Sequence, residues 1–146
     1  MILPCISLHQ PWAWLMVNGW KDVENRSWLT NYRGPMLVHA SLTVDNYADV
    51  SAHFERVWGA PLDVSKCPSF DDIEAGGIVG AWRVNGVLAP TLFNPPLADW
   101  HFSDQYGWQV DRQVILPFRP MKGQQRIWNV ELTKDEELII RKKVAA

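Results

Sequence analysis

Apolar and polar residues follow two different periods at the start of the chain. The run ILPCISL alternates in the manner of a β-strand. After it, Pro11 suits the first turn of a helix, and Trp12, Leu15 and Met16 recur at the spacing of one helical face. Gly19 is a natural end for this helix. The pattern therefore predicts a strand and then a short helix, QPWAWLMVNG, whose Trp12 face packs in the core.

The next segment, DVENRSW, is polar on both faces. As a strand it places Asp22, Glu24, Arg26 and Trp28 on one side. The opposite side also lacks the apolar continuity that a core strand needs. A strand of this kind lies at the edge of a sheet or lines a polar cleft, and the sequence leaves both interpretations open.

The rest of the chain predicts one clear helix and several strands. The helix is DNYADVSAHFERVWG, whose apolar residues recur at helical spacing before Gly59. Strands are predicted at MLVHAS, GIVGAWRVNGVLA, YGWQVDRQVILPF and QQRIWNVEL, and Gly80 and Gly86 indicate bends or bulges in the second of them. The segment APLDVSKCPSFDDIEAGG is predicted as a loop with one short helical turn. The C-terminal KDEELIIRKKVAA fits a strand or a helix equally well.

These elements predict an α+β fold. Five or six strands and one or two helices fit a small, mostly antiparallel β-barrel with the helices packed outside it. A chain of 146 residues is long enough to bury its own core, so we expect a single domain over residues 1–146, with a C-terminal tail at 133–146.

Composition and charge narrow the class of protein. The formal net charge of −2 gives no general attraction to nucleic acid or to an anionic membrane, so any polyanion would bind a local patch. The N-terminus lacks a signal-peptide pattern, and no apolar run is long enough for a membrane span, so we expect a cytoplasmic protein. Cys5 and Cys67 lie far apart and are expected to be reduced thiols.

Several common chemistries have no motif in this chain. Neither a phosphate-binding glycine loop nor a GxSxG nucleophile motif is present. The histidines His9, His39, His53 and His101 are scattered without the spacing of metal ligands. We therefore expect no cofactor and no obligate metal.

The stretch ISLHQPWAWLMVNGWKDVENRSW and the later YRGPMLVHAS resemble the opening of an ASCH domain, a family named after activating signal cointegrator homology and placed in the PUA-like superfamily of small barrels. The matching features are QPWA, the Gly-x-Lys-x-x-Glu-x-Arg pattern in GWKDVENR, and the glycine of YRG. Further on, GGIVGAW, DQYGW and KGQQRIW resemble later family segments. The ordered set spans about residues 4 to 130.

The resemblance implies a PUA-like barrel with a cleft between the first helix, the Lys-x-x-Glu-x-Arg segment and the late strands. It also implies that RNA, a nucleotide or a modified nucleoside is the partner. Some bacterial members of the family hydrolyse N4-acetylcytidine, and ribonuclease activity occurs in the family. The acetylcytidine hydrolases carry a threonine where this chain has Glu24, which argues against that activity here.

Candidate site residues follow from the residue types and the resemblance together. The predicted ligand-binding residues are Gln10, Trp12, Lys21, Glu24, Arg26, Trp28, Tyr106, Trp108, Lys122 and Gly123.

Each candidate has a structural alternative. Lys21 is a base if its pKa falls, an anion contact if it stays charged, or a solvated bystander. Arg26 binds phosphate or pairs with Glu24, and Trp28 is the better stacking platform for a base. Gln10 reads a base edge or caps the helix. The turn of Lys122 and Gly123 contacts a ligand or is an ordinary surface loop.

Three functions remain open. The leading hypothesis is a module that binds RNA or a nucleotide, and the second is a hydrolase in the same cleft, with Lys21 and Glu24 sharing acid–base catalysis. The third is a domain that binds a protein segment. In an ideal strand Lys21 and Glu24 point to opposite faces, so shared chemistry requires a turn or bulge between them.

Overall fold

The computed structural model describes residues 1–60 and 63–145. Its strands are β1 (Ile2–Gln10), β2 (Val23–Arg26), β3 (Gly34–Val44), β4 (Gly77–Leu88), β5 (Tyr106–Pro120) and β6 (Ile127–Glu131). Its helices are α1 (Trp12–Val17), α2 (Tyr47–Trp58) and α3 (Lys134–Lys143), with a 3₁₀ turn at Val64–Lys66. The turn lies in the predicted loop, of which residues 61 and 62 fall outside the described part of the chain.

The strands form one mixed sheet in the order β2-β5-β4-β3-β1-β6. Strands β1 and β3 run parallel, and the other neighbouring pairs are antiparallel. The predicted α+β class and the mostly antiparallel pairing are confirmed. The sheet is barrel-like but not closed, because β2 and β6 are the outer strands of the described sheet. Three α-helices accompany it within residues 1–60 and 63–145: the two predicted in the first half of the chain, and a third in the C-terminal segment that the sequence left open.

Strand β1 is buried on both faces, which explains its high apolar content. Ile6 and Leu8 face a core cluster that also contains Trp82 and Trp108. Leu3 and Cys5 face a second cluster on the opposite side. The alternation of a strand thus divides one apolar run between two layers of core. Helix α1 contributes to the first layer and α3 to the second.

Gly80 lets α1 pack closely against the sheet. A Cβ at this position would lie 2.5 Å from Val17 Cγ1 and 2.4 Å from the carbonyl oxygen of Val114. The register between β4 and β5 shifts next to Gly80 and again next to Gly86. The prediction of bends or bulges at these two glycines is confirmed.

The C-terminal segment is a helix, which the sequence left undecided. Thr133 and Glu136 form a capping box at its N-terminus. The Glu136 carboxylate also accepts hydrogen bonds from Arg119 Nε at 2.9 Å and from Arg119 Nη2 at 2.8 Å. This ion pair fixes α3 to β5, so the segment described up to residue 145 is part of the fold. No helix in the described residues is long and apolar enough to cross a membrane.

Candidate functional site

Lys21 and Glu24 lie on the same side of the chain. Strand β2 begins only at Val23, so Lys21 precedes the strand and escapes its alternation. As a result Lys21 Nζ comes within 3.9 Å of Glu24 Oε1. The turn that shared chemistry requires is therefore present. Strand β2 is both an edge strand of the sheet and a wall of a cleft.

The ammonium group of Lys21 is buried. Its Nζ donates a hydrogen bond to the carbonyl of Val23 and lies 3.8 Å from Met16 Sδ. It also lies 5.6 Å from the ring centre of Trp12 and 5.8 Å from that of Trp100, at cation–π distance. Burial lowers the pKa of Lys21, and the carboxylates nearby oppose this shift. Lys21 is therefore not a solvated bystander.

Arg26 connects Glu24 to the first strand. Its Nε and Nη2 lie 3.1 Å and 3.0 Å from Glu24 Oε2. The same Nη2 donates to the carbonyl oxygen of Ser7 at 2.7 Å. The predicted pair of Arg26 and Glu24 is therefore present, and the guanidinium also borders the cleft, where part of it stays exposed.

These side chains line a cleft of about 430 Å³, a volume within the range of small-molecule sites. Its lining residues are Ser7, Leu8, His9, Trp12, Lys21, Glu24, Asn25, Arg26, Asp45, Phe102 and Gln105. Trp12 and Phe102 supply the aromatic surface of the cleft. His53 lies between them, at 5.9 Å from Trp12 and 5.4 Å from Phe102 by ring centres.

Trp12 lies at the edge of the core, where it packs against a buried cluster on one side and lines the cleft on the other. The buried face of α1 consists of Ala13, Leu15, Met16 and Val17. Trp12 is half-buried and directs its indole N–H to Asp45 Oδ2 at 3.0 Å. An indole prefers a position with its ring against apolar atoms and its N–H on a polar partner, and the cleft wall offers both.

Sequence reasoning missed the pair of His9 and Asp45. His9 Nδ1 lies 3.0 Å from Asp45 Oδ1, and the other carboxylate oxygen of Asp45 accepts from Trp12. The alternation of β1 already contained a signal, because Ser7 and His9 share the strand face opposite to that of Ile6 and Leu8. Asp45 follows β3, and its partnership with His9 depends on the parallel pairing of β1 and β3.

Asn25 positions the aromatic residue on the far wall of the cleft. Its Nδ2 donates to the carbonyl oxygen of Trp100 at 2.8 Å, and its Oδ1 accepts from the backbone N–H of Phe102 at 2.8 Å. These contacts attach β2 to the loop of residues 89–105, which carries Phe102 and Gln105. No local motif links residues so distant in sequence, and the sequence did not indicate them.

The predicted stacking residues lie outside the cleft. Trp28 follows β2 and packs edge to face against Trp108 at 4.8 Å. The guanidinium of Arg126 lies 4.3 Å from the ring centre of Trp28 and covers one of its faces. Trp108 is fully buried, so it is a core residue that supports Trp28. Tyr106 is half-buried, pairs with Arg26 in register and packs against the same core.

The side-chain amide of Gln10 is hydrogen-bonded through both its oxygen and its nitrogen. Its Oε1 accepts from the backbone N–H of Trp14, and its Nε2 donates to the carbonyl oxygen of Glu74. The buried side chain of Gln10 thus accepts a hydrogen bond from a backbone N–H in the first turn of α1, as the capping alternative predicted.

Lys122 and Gly123 lie on a different surface. They line a groove of about 820 Å³ that borders on β3 and shares Ser7 with the cleft. The structure therefore separates them from Lys21, Glu24 and Arg26. Among the described residues, no group of histidine, cysteine, aspartate and glutamate side chains is arranged to hold a metal ion.

Comparison with known proteins identifies the family. The family model of the ASCH domain matches residues 6–140. The chain belongs to the ASCH domain family. The match agrees with the PUA-like expectation and includes both walls of the cleft.

Two curated relatives and one solved structure extend this comparison. Activating signal cointegrator 1 from Homo sapiens is 27% identical over 134 residues, and its counterpart from Mus musculus is 25% identical over 134 residues. These matches cover 87% of this ASCH chain but 22% of each cointegrator, so the chain spans about a fifth of their length. The crystal structure of a ZmASCH mutant protein from Zymomonas mobilis has a TM-score of 0.52 at 11% identity, covering 97% of this chain and 98% of that one. At this identity the likeness shows the fold alone.

Proposed function

We propose that this ASCH domain binds a nucleotide or a short single-stranded RNA segment in the cleft. One observation carries the proposal: a cationic guanidinium, two aromatic rings and a side-chain amide border the same cavity. These are Arg26, the rings of Trp12 and Phe102, and Gln105. Phosphate, base face and base edge are the complementary groups of a nucleotide.

The near-neutral chain favours a short ligand. Salt-dependent binding to a polyanion grows with the number of phosphates that lysine and arginine neutralise. Arg26 and Lys21 are the cations that line the cleft, and Lys21 is already bonded to a backbone carbonyl and lies near Glu24. One or two phosphates therefore match the available charge, whereas a long duplex does not.

Binding to labelled oligonucleotides and nucleotides tests the proposal. We expect Arg26→Met to weaken binding and to reduce the salt slope of log K by about one. Trp12→Leu should also weaken binding, because a base stack contributes roughly 1–3 kcal/mol. Two controls match these variants. Arg33→Met removes a guanidinium that donates to the nearby carbonyl oxygens of Thr30 and Tyr32, and Trp58→Leu removes an exposed indole on α2.

The controls make the test decisive. Wild-type protein that binds no oligonucleotide or nucleotide at low salt would refute the proposal. Equal losses in Arg33→Met and Arg26→Met would also refute it, because nonspecific surface charge would then explain the binding.

A hydrolase is the second candidate, and one observation favours it. Burial lowers the pKa of Lys21, which raises the fraction of neutral amine available as a base next to Glu24. Incubation with N4-acetylcytidine and with labelled RNA separates the two candidates. Turnover that Lys21→Met abolishes, in a variant that keeps the wild-type unfolding transition, would establish the enzyme. No turnover, together with retained ligand binding, would leave the binding module.

A further inference from the structure

Ser7 and His39 form a hydrogen-bonded pair whose histidine lies outside the lining of the cleft. The two residues face each other across the parallel strands β1 and β3. Ser7 Oγ lies 2.8 Å from His39 Nδ1. Ser7 is half-buried and borders both the cleft and the groove, whereas His39 is buried beneath the groove.

The partners of His39 determine its tautomer. His39 Nε2 lies 2.7 Å from the carbonyl oxygen of Met121. A carbonyl oxygen only accepts, so in the neutral imidazole Nε2 carries the hydrogen and donates it. Nδ1 then holds the lone pair and accepts the hydrogen bond from the Ser7 hydroxyl. A serine, a histidine base and a group that orients the base are thereby connected in series.

The imidazole ring is also held in place on its other sides. Trp128 contacts it edge to face, with 5.6 Å between ring centres. The backbone at Gly123 runs so close that a Cβ there would lie 2.8 Å from His39 Cε1. These contacts keep Nδ1 directed at the Ser7 hydroxyl.

The groove supplies space for an acyl group next to the hydroxyl. Leu42 and Met121 contribute apolar surface, and Lys122 is the charged residue in its lining. A short acyl chain fits such a wall. The ammonium of Lys122 is the cation available to a negatively charged oxygen that forms on the carbonyl carbon.

We propose that Ser7 is the nucleophile of an esterase site in the groove, acting on carboxylic esters with a short apolar acyl group. Ser7 Oγ attacks the ester carbonyl carbon, and its proton passes to His39 Nδ1. The bond from the carbonyl carbon to the alkoxy oxygen breaks, and the alcohol leaves with that proton. The acyl group is then bound to Ser7 through an ester. A water molecule attacks this ester and gives one proton to His39; the carboxylic acid leaves, and the proton returns to Ser7 Oγ.

Hydrolysis of 4-nitrophenyl acetate and butyrate, followed by absorbance, tests this proposal on the full chain. Labelling with a fluorophosphonate is the second probe, in which Ser7 Oγ bonds to phosphorus and fluoride leaves. We expect Ser7→Ala to reduce ester turnover about a hundredfold or more and to abolish the label. Ser69→Ala is the matched control, because Ser69 is exposed and lines neither the groove nor the cleft. It should keep both activities.

A second variant keeps the test independent of folding. Ser7→Cys should react quickly with iodoacetamide if His39 activates the side chain at this position. Cys5 and Cys67 contribute little background, since both are buried and burial raises their pKa values.

Three outcomes would overturn the proposal. These are turnover in Ser7→Ala equal to wild type, a fluorophosphonate adduct on another residue, and a Ser7→Cys thiol no more reactive than the native cysteines. Nucleotide binding in the cleft, measured on the same variants, reports separately on the proposed function.

Discussion

Asn25 attaches the edge strand β2 to the 89–105 loop, and we expect its replacement by alanine to loosen one wall of the cleft. In the native protein its amide pairs with the carbonyl of Trp100 and with the backbone N–H of Phe102, each at 2.8 Å. Alanine removes both hydrogen bonds at once and leaves the two backbone groups without this partner. Because Trp100 is buried, water cannot fully replace the lost bond to its carbonyl.

The size of the effect follows from these two bonds. Leaving a buried donor or acceptor unsatisfied costs about 1–3 kcal/mol. Two such groups, one of them only partly buried, give a loss of roughly 2–4 kcal/mol in the free energy of unfolding. For a domain of this size, that loss corresponds to a fall in Tm of roughly 5–15 °C.

Urea unfolding followed by tryptophan fluorescence measures the stability, and amide hydrogen exchange at Phe102 measures the local opening. Asn25→Asp keeps the acceptor for Phe102 and loses the donor to Trp100, so its loss should be intermediate. Asn129→Ala, at an exposed position on β6, is the matched control and should change neither quantity. Wild-type stability and wild-type exchange in Asn25→Ala would refute the reasoning.

Three further predictions address the core and the buried ionisable groups. Gly80→Ala should lower the free energy of unfolding in urea by at least about 2 kcal/mol, because the new Cβ would lie 2.4 Å from a backbone carbonyl oxygen. Gly86→Ala should lower it less, because the atom closest to its Cβ is the end of the flexible Gln109 side chain. The pKa of Lys21 is lowered in the folded protein, so between that pKa and about 10.4 the unfolded chain binds more protons than the folded chain. In this pH range the free energy of unfolding of the wild type should therefore rise with pH relative to that of Lys21→Met. Parallel pH profiles of the two proteins would contradict this. Burial raises the pKa of Cys5 and of Cys67, so both should resist alkylation at pH 8 until urea unfolds the chain, as mass spectrometry can show.

Much of the fold was predictable because the spacing of apolar residues along the chain indicates most of its strands and helices. The helix over Tyr47–Trp58 ends at Gly59, as the sequence indicated, and Gly59 adopts the left-handed conformation with a φ of 75°. The glycines of β4 marked its bulges in advance. The C-terminal helix was not decidable from apolar spacing, since its capping box and its ion pair with Arg119 are what stabilise it.

The candidate site was predictable only in part. Lys21, Glu24 and Arg26 are close in sequence, and a short turn brings them together. Of the predicted aromatic residues Trp12 lines the cleft, whereas Trp28 lies outside it, because strand alternation does not extend beyond the end of β2. Phe102 and Asp45 reach the cleft through contacts between distant segments, and a single sequence carries no local signal for such contacts.

Strand β1 also bears on how the nascent chain behaves. It pairs with β3 on one side and with β6 on the other, from Ile2 opposite Glu131 to Ile6 opposite Ile127. During synthesis, β6 emerges long after β1, and closing so large a loop is slow. Until then β1 presents an unpaired, apolar edge, which is a template for association between chains. We therefore expect chains that end before Ile127 to aggregate more readily, once released from the ribosome, than the complete chain does.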